Sequence, residues 1–330
     1  MAFADLPLAR AYLDHAAELR ADPDALDRAR RDPGTRVLVV GGAELVVEGT
    51  QPRAARLDPE IAGRVDGDGL ADDEQWLLLG RDEGALVLAR RVPRGGPAPR
   101  TGQASDVLVH RTARSRGGVP ERAPGLRWAA LRDVGASLPA PDAGLATTAV
   151  ALDAWHARHP RCPRCGGRTV VTQAGWVRVC VEDGTEHYPR TDPAIIVAVV
   201  DDDDRLLLGH NAVWPPGRFS TLAGFVEPGE SAEHAVRREV AEETAVVVDG
   251  LEYRWSQPWP FPASLMLAYR AHASSTEVRV DGVEVTEARW FTREALAEAV
   301  ESRTVLLPMG TSVAFALISE WFGGALPATA

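Results

Sequence analysis

The chain has 330 residues, 45% of them hydrophobic and 25% charged. That is the balance of a soluble globular protein, and its length favours two or three units over one core. The formal charge is −11 and all 36 basic residues are arginines, which argues against a broad grip on a nucleic-acid backbone but leaves room for a small anion screened by metal ions. No apolar run reaches the roughly 18–20 residues of a bilayer span, and the opening MAFADLPLAR lacks the features of a signal peptide. Three cysteines make no secreted disulfide framework, so a cytoplasmic protein with no membrane partner is expected.

Short apolar runs bounded by Gly and Asp, namely RVLVVGG, AELVVEG, WLLLG and ALVLAR, predict a β-rich domain over residues 1–158. A loop rich in Gly, Pro and Arg covers about 91–127, and LATTAVALDAWHARH predicts a helix that stops before Pro160. Residues 159–190 hold a C-x-x-C pair, a hairpin-like pair of strands and a third cysteine, which together read as a small zinc-ribbon-like module. In 191–330, PAIIVAVVDDDDRLLLGH predicts two strands about a turn, with 201–204 as a solvated acidic tip. A helix, strands in SLMLAYRAHA and EARWF, and two terminal helices complete the chain. No internal repeat is visible.

The stretch GFVEPGESAEHAVRREVAEE carries the chemistry. At about 100° per residue, Glu239, Glu242 and Glu243 share one helix face with Ala235 and Val236, while Arg237 and Ala241 point away. Carboxylates on a buried face cost on the order of several kcal/mol each when unpaired. Arg238, four residues before Glu242, offsets only part of this. Divalent cations supply the rest, and carboxylate oxygens suit Mg²⁺ or Mn²⁺. Gly224 and Gly229 flank the loop into the helix, where backbone approaches a ligand or takes positive φ.

Gly224, Glu230, Arg238, Glu239, Val240, Glu242, Glu243 and Val246 match the Nudix box, which the stretch therefore resembles. Ala245 stands where the box has glycine, and at positive φ alanine costs about 1 kcal/mol. SQPWPFPASLM at 256–266 is similar to a signature of the bacterial NADH pyrophosphatase (NudC-like) subfamily. Its interleaved prolines and aromatics make a stiff loop with flat apolar walls. CPRCGG, YPRTDPAIIV, TEARWF, LPMGTSVAFALI and WAALRDVG resemble further segments of that subfamily. The resemblance implies an α/β (α+β) fold, a Nudix α/β/α sandwich preceded by the ribbon module and the β-rich domain. It implies metal-dependent hydrolysis of NAD(H) into NMN(H) and AMP, extending to NAD-capped RNA, by a homodimer.

The resemblance also assigns roles. Glu239, Glu242, Glu243 and Glu287 would be catalytic, with several Mg²⁺ or Mn²⁺ ions held by Glu239, Glu243, Glu287 and the Ala223 carbonyl, and Glu243 or Glu287 as general base. Glu230 would tie the loop to the helix, and Arg238 would hold a box carboxylate. Phe225 and Tyr188 would sandwich adenine, the tyrosine coming across the dimer interface. Gln257, Pro258, Trp259, Pro260, Phe261, Pro262, Ala263 and Ser264 would line the substrate channel, Ala314 would pack against the substrate, and Arg132 would meet a phosphate. The ribbon of this subfamily has the pattern C-x2-C-x14-C-x2-C. Here Cys162, Cys165 and Cys180 occupy three positions and Asp183 the fourth, so structural zinc would take Asp183 or His187 as its last ligand. A ribbon held by packing alone is the alternative. Gly175 stands where the subfamily can place a substrate-contacting glutamate. Competing readings are a Nudix hydrolase for ADP-ribose or dinucleoside polyphosphates, and a nucleotide-sensing module, which would have lost box glutamates that are all present. A zinc-ribbon nucleic-acid binder would need a basic surface.

Overall fold

Leucine- and valine-rich runs form strands where alternate residues can be buried on two faces. The computed structural model describes residues 6–65, 70, 72–92 and 125–327, and these residues form three sheets. In the first, β1 (Arg36–Gly41), β2 (Glu44–Glu48), β3 (Arg53–Ala54), β4 (Trp76–Asp82), β5 (Ala85–Arg91) and β6 (Leu126–Ala130) take the order β3-β2-β1-β5-β4, with β6 on β2. β1 and β5 are parallel, Val37 facing Leu88. The helices α1 (Ala25–Arg31), α2 (Pro59–Gly63), α3 (Asp72–Gln75) and α4 (Leu131–Val134) are short. The predicted helix is α5 (Ala140–Arg158), which buries Leu145, Ala149 and Leu152 in one core with Leu38 and Leu77. Most of the Gly-, Pro- and Arg-rich loop, 93–124, lies outside the described residues.

The second sheet is β7 (Thr169–Thr172), β8 (Val177–Cys180) and β9 (Glu186–His187), all antiparallel. Its Arg178 is buried and fully bonded. Nε donates to Thr169 Oγ1 at 2.7 Å, Nη1 to His156 Nδ1 of α5 at 3.0 Å, and Nη2 to Glu74 Oε1 of α3 at 2.9 Å. His156 Nε2 then donates to the Gly175 carbonyl at 2.9 Å. One guanidinium thus fastens the second sheet to the first.

The third sheet holds β10 (Asp192–Val200), β11 (Leu206–Asn211), β12 (Leu222–Phe225), β13 (Val248–Trp259), β14 (Ser264–Ala273) and β15 (Val285–Phe291), ordered β13-β14-β10-β11-β15 with β12 on β10. β10 and β14 are parallel. β10 sends Ala194, Ile196, Ala198 and Val200 into one core and Ile195, Val197 and Val199 into another. α6 (Ala232–Thr244) covers the second core through Ala235, Val236 and Val240. On the opposite face, α7 (Arg293–Glu301) and α8 (Val313–Phe322) cover the first through Leu296, Val300, Val313 and Leu317. This is the expected α/β/α sandwich, and its first core runs on into the N-terminal sheet.

Two local expectations change. The 201–204 turn is not wholly a solvated tip, because Asp201 is buried. Its carboxylate accepts the backbone N–H groups of Asp203 and Arg205 at 3.1 and 2.9 Å and pairs with the Arg205 guanidinium, building the turn while 202–204 stay exposed. And although no repeat is visible in the residues, the first and third sheets share a plan of six strands with one parallel pair each.

Candidate functional site

α6 begins where the Ser231 hydroxyl accepts the His234 N–H at 3.2 Å, and ends at Ala245, left-handed at φ 59°. Between these caps the glutamates divide. Glu243 is 7% exposed and its Oε2 has no partner among the described residues. Glu239 lies beneath β12, so close that a Cβ on Gly224 would collide with its carboxylate. That contact explains the box glycine. Glu242 departs from the inward face, with its side chain 61% exposed. Arg238 organises the group: its guanidinium donates to Glu230 (2.8 Å), Glu239 (2.9 Å), Glu242 (3.1 Å) and the Phe225 carbonyl (2.9 Å). Glu230 also accepts the Glu227 N–H at 3.1 Å, which ties the loop to the helix.

Burial raises the Glu239 pKa against the pull of Arg238. It pushes Glu243 well above the usual carboxylate range, reinforced by the charges of Glu239, Glu284, Asp281 and Glu242. Glu284 was not foreseen. Asp281 donates its N–H to the Glu243 carbonyl at 3.3 Å, and its carboxylate accepts the N–H groups of Val283, Glu284 and Val285 at 3.2, 3.1 and 2.9 Å. This turn fixes Glu284 beside the end of α6. Glu287 lies on β15 opposite His210, with its side chain 41% exposed and paired to Arg289.

On the α8 side of β12 a shallow cleft, open to solvent, is lined by Ala223, Gly224, Phe225, Trp259, Ser264 and Ala314, all singled out in the sequence, together with Ser220, Thr221, Met266 and Ser312, which were not. The remaining residues of the SQPWPFP loop do other things. Gln257 is fully buried, accepting the Leu8 N–H at 3.4 Å and donating to the Thr311 carbonyl at 3.0 Å. Phe261 stacks edge-on against Trp259 at 4.9 Å and carries the Arg132 guanidinium 5.0 Å above its ring. Pro258, Pro260, Pro262 and Ala263 are not among the residues that line the cleft. Tyr188 is 60% exposed with its hydroxyl on Glu186, away from the cleft of its own chain. Gly175, at φ 98°, packs on Leu77 and has no room for a side chain.

In the ribbon, one ligand atom from each of Cys162, Cys165, Cys180 and Asp183 lies within 4.8 Å of the others. Three thiolates and a carboxylate at that spacing fit tetrahedral zinc with Zn–S bonds of about 2.3 Å. His187 stands beside the Cys162 thiol rather than in the set.

Three family models lie end to end on the chain: a NADH pyrophosphatase-like rudimentary NUDIX domain over 34–155, a NADH pyrophosphatase zinc ribbon domain over 157–188, and a NUDIX domain over 190–308. They define a Nudix architecture, and the rudimentary copy accounts for the shared plan of the two larger sheets. The chain is 42% identical over 192 residues to the NAD-capped RNA hydrolase NUDT12 of Macaca fascicularis, covering 54% of this chain and 42% of that protein. It is 40% identical over 201 residues to the NAD-capped RNA hydrolase NudC of Mycobacterium bovis, covering 58% and 64%. The chain thus spans less than two thirds of the length of these relatives. It belongs to the NADH pyrophosphatase (NudC-like) group of the Nudix hydrolase superfamily. A crystal structure of a Nudix hydrolase from Nitrosomonas europaea superposes with a TM-score of 0.39 at 21% identity, over 49% of this chain and 90% of that chain, and adds nothing to this assignment.

Proposed function

We propose that the chain hydrolyses the diphosphate bridge of NAD(H), as the free dinucleotide and as the 5′ cap of RNA, releasing NMN(H) and AMP. The observation that carries this is the unpartnered, buried Glu243 oxygen among like charges on α6, whose Glu239 lies against Gly224 in the wall of the cleft. Acidic oxygens held this way call for hard divalent cations, and the donor set of Glu239, Glu243, Glu284 and the Ala223 carbonyl fits Mg²⁺ or Mn²⁺. We place Glu284 where the resemblance had suggested Glu287. When bound, such ions neutralise the diphosphate and lower the pKa of the attacking water.

The chain's own residues do the rest. Glu243, raised in proton affinity and facing the diphosphate, accepts the proton of the attacking water. A new P–O bond forms, the bridging P–O bond breaks, and two monophosphates leave. Arg238, committed to four partners, keeps Glu239 in position and contacts no substrate. Phe225 and Trp259 hold a ring, a contact worth about 1–3 kcal/mol. The outward Tyr188 supports a homodimer in which it reaches the cleft of the other copy, and the ribbon set supports structural zinc.

Assay with Mg²⁺ or Mn²⁺ against NADH, NAD⁺, NAD-capped RNA, ADP-ribose and diadenosine polyphosphates tests the reading. NAD-containing substrates are expected to give the highest kcat/KM, with NMN(H) and an adenosine 5′-monophosphate end as products. A higher value for ADP-ribose or a polyphosphate replaces the substrate. Binding without turnover of any of them replaces the enzyme with a nucleotide sensor.

A further inference from the structure

Most side chains around the cleft offer only apolar surface, and two offer a buried polar atom that nothing else uses. Residues 219–225 run extended, so successive side chains take opposite faces of the sheet. Phe219, Ala223 and Phe225 face the first core, on the α8 side, and Leu222 faces the second. Thr221 therefore points to the α8 side, into the cleft that it lines. It is 4% exposed, and its Oγ1 has no partner among the described residues. Trp259, also in the lining, is 3% exposed, and its Nε1 likewise has none. Two further hydroxyls at the cleft are turned elsewhere. Ser312 accepts the Ala314 N–H at 3.1 Å as the cap of α8. Ser220 shares a face with Gly209, on which a Cβ would meet Leu222 and Val285 of the second core, so its hydroxyl is turned to the α6 side. A polar atom shut from water without a bond destabilises its surroundings, and a ligand that supplies the bond recovers that cost.

The two atoms differ in what they accept. An indole N–H only donates, whereas a hydroxyl both donates and accepts. The edge that completes them carries an acceptor next to an amino group: the acceptor takes the Trp259 proton, and the amino group donates to Thr221 Oγ1. A flat ring seated on Phe225 presents such an edge from either half of the dinucleotide. Adenine has a ring nitrogen beside its exocyclic amine, and nicotinamide has a carboxamide. We infer that Thr221 is a specificity-determining residue, whose hydroxyl reads the amino group of the base seated in the cleft. This rests on the diphosphatase reading for the class of ligand.

Calorimetry with Ca²⁺ in place of Mg²⁺ separates binding from turnover. The ligands are NAD⁺, a form whose adenine lacks the amino group, and a form whose pyridinium ring lacks the carboxamide. In the unaltered protein at least one truncated form is expected to bind about tenfold more weakly than NAD⁺. Thr221→Val, which keeps the shape and removes the hydroxyl, is expected to erase that difference. Thr221→Ser, which keeps the hydroxyl, should retain it. A Thr221-dependent difference at the first form seats adenine in the cleft, and one at the second seats nicotinamide there. Equal affinities for all three ligands in the unaltered protein overturn the contact, as does a difference that survives Thr221→Val undiminished. Turnover of NAD⁺ with Mg²⁺ is read separately: its absence beside an intact Thr221-dependent difference counts against the diphosphatase reading and not against the contact.

Discussion

Glu243 concentrates the tension in this fold. Among the described residues it is the only carboxylate with a buried oxygen left unbonded, and it is surrounded by negative charge. Glu243→Gln removes a buried charge while keeping the shape. Turnover is expected to fall by roughly 10²–10⁴-fold, the usual contribution of a general base. The metal-free protein should hold or gain stability by about 1 kcal/mol or more, because an uncompensated buried charge has gone. Steady-state kinetics and denaturant midpoints without metal check the two halves separately. Ala245 is the converse case, a residue that strains its site for no visible gain. It closes α6 in the left-handed region at φ 59° with its N–H on the Ala241 carbonyl at 2.9 Å. Ala245→Gly relieves the Cβ and is expected to stabilise the protein by about 1 kcal/mol, read as a higher urea midpoint with unchanged slope.

α6 was legible because a helix advertises its period, and the spacing of Glu239 and Glu243 from Ala235, Val236 and Val240 is a pattern of one face. What the period could not say is how wide the covering sheet is. Glu242 falls just past its edge and bonds Arg238 at the surface. The strands were harder. Glu284 and Glu287 sit three residues apart in one short segment, and periodicity alone does not show that the Asp281 turn ends at Val285, leaving Glu284 in the turn and Glu287 in the strand. The SQPWPFP loop announced its stiffness, but not that the Gln257 amide would be spent on backbone rather than ligand.

The first and second sheets meet at His156. Burial, followed by the positive charge of Arg91, lowers its pKa to about 2, while its neutral ring accepts from Arg178 and donates to Gly175. The unfolded chain protonates this histidine near pH 6.5, whereas the folded chain resists. Its contribution to stability is therefore complete above about 6.5 and drains away as pH falls toward 2, by at most about 1.4 kcal/mol per pH unit. Urea midpoints between pH 8 and pH 5 should fall for the unaltered protein and fall less for His156→Gln. Equal slopes would mean that other histidines dominate.

The Gln257 side chain, holding Leu8 with one atom and Thr311 with the other, has a consequence for the far end of the chain. The stretch around Leu8, which belongs to no strand, is braced against the wall that carries Trp259 and Ser264, and Thr311 is braced in turn by Ala136. A disturbance of the residues around Leu8 reaches the cleft wall without crossing any of the α6 glutamates. The wall of the cleft therefore has an anchor in the part of the molecule that looks most dispensable.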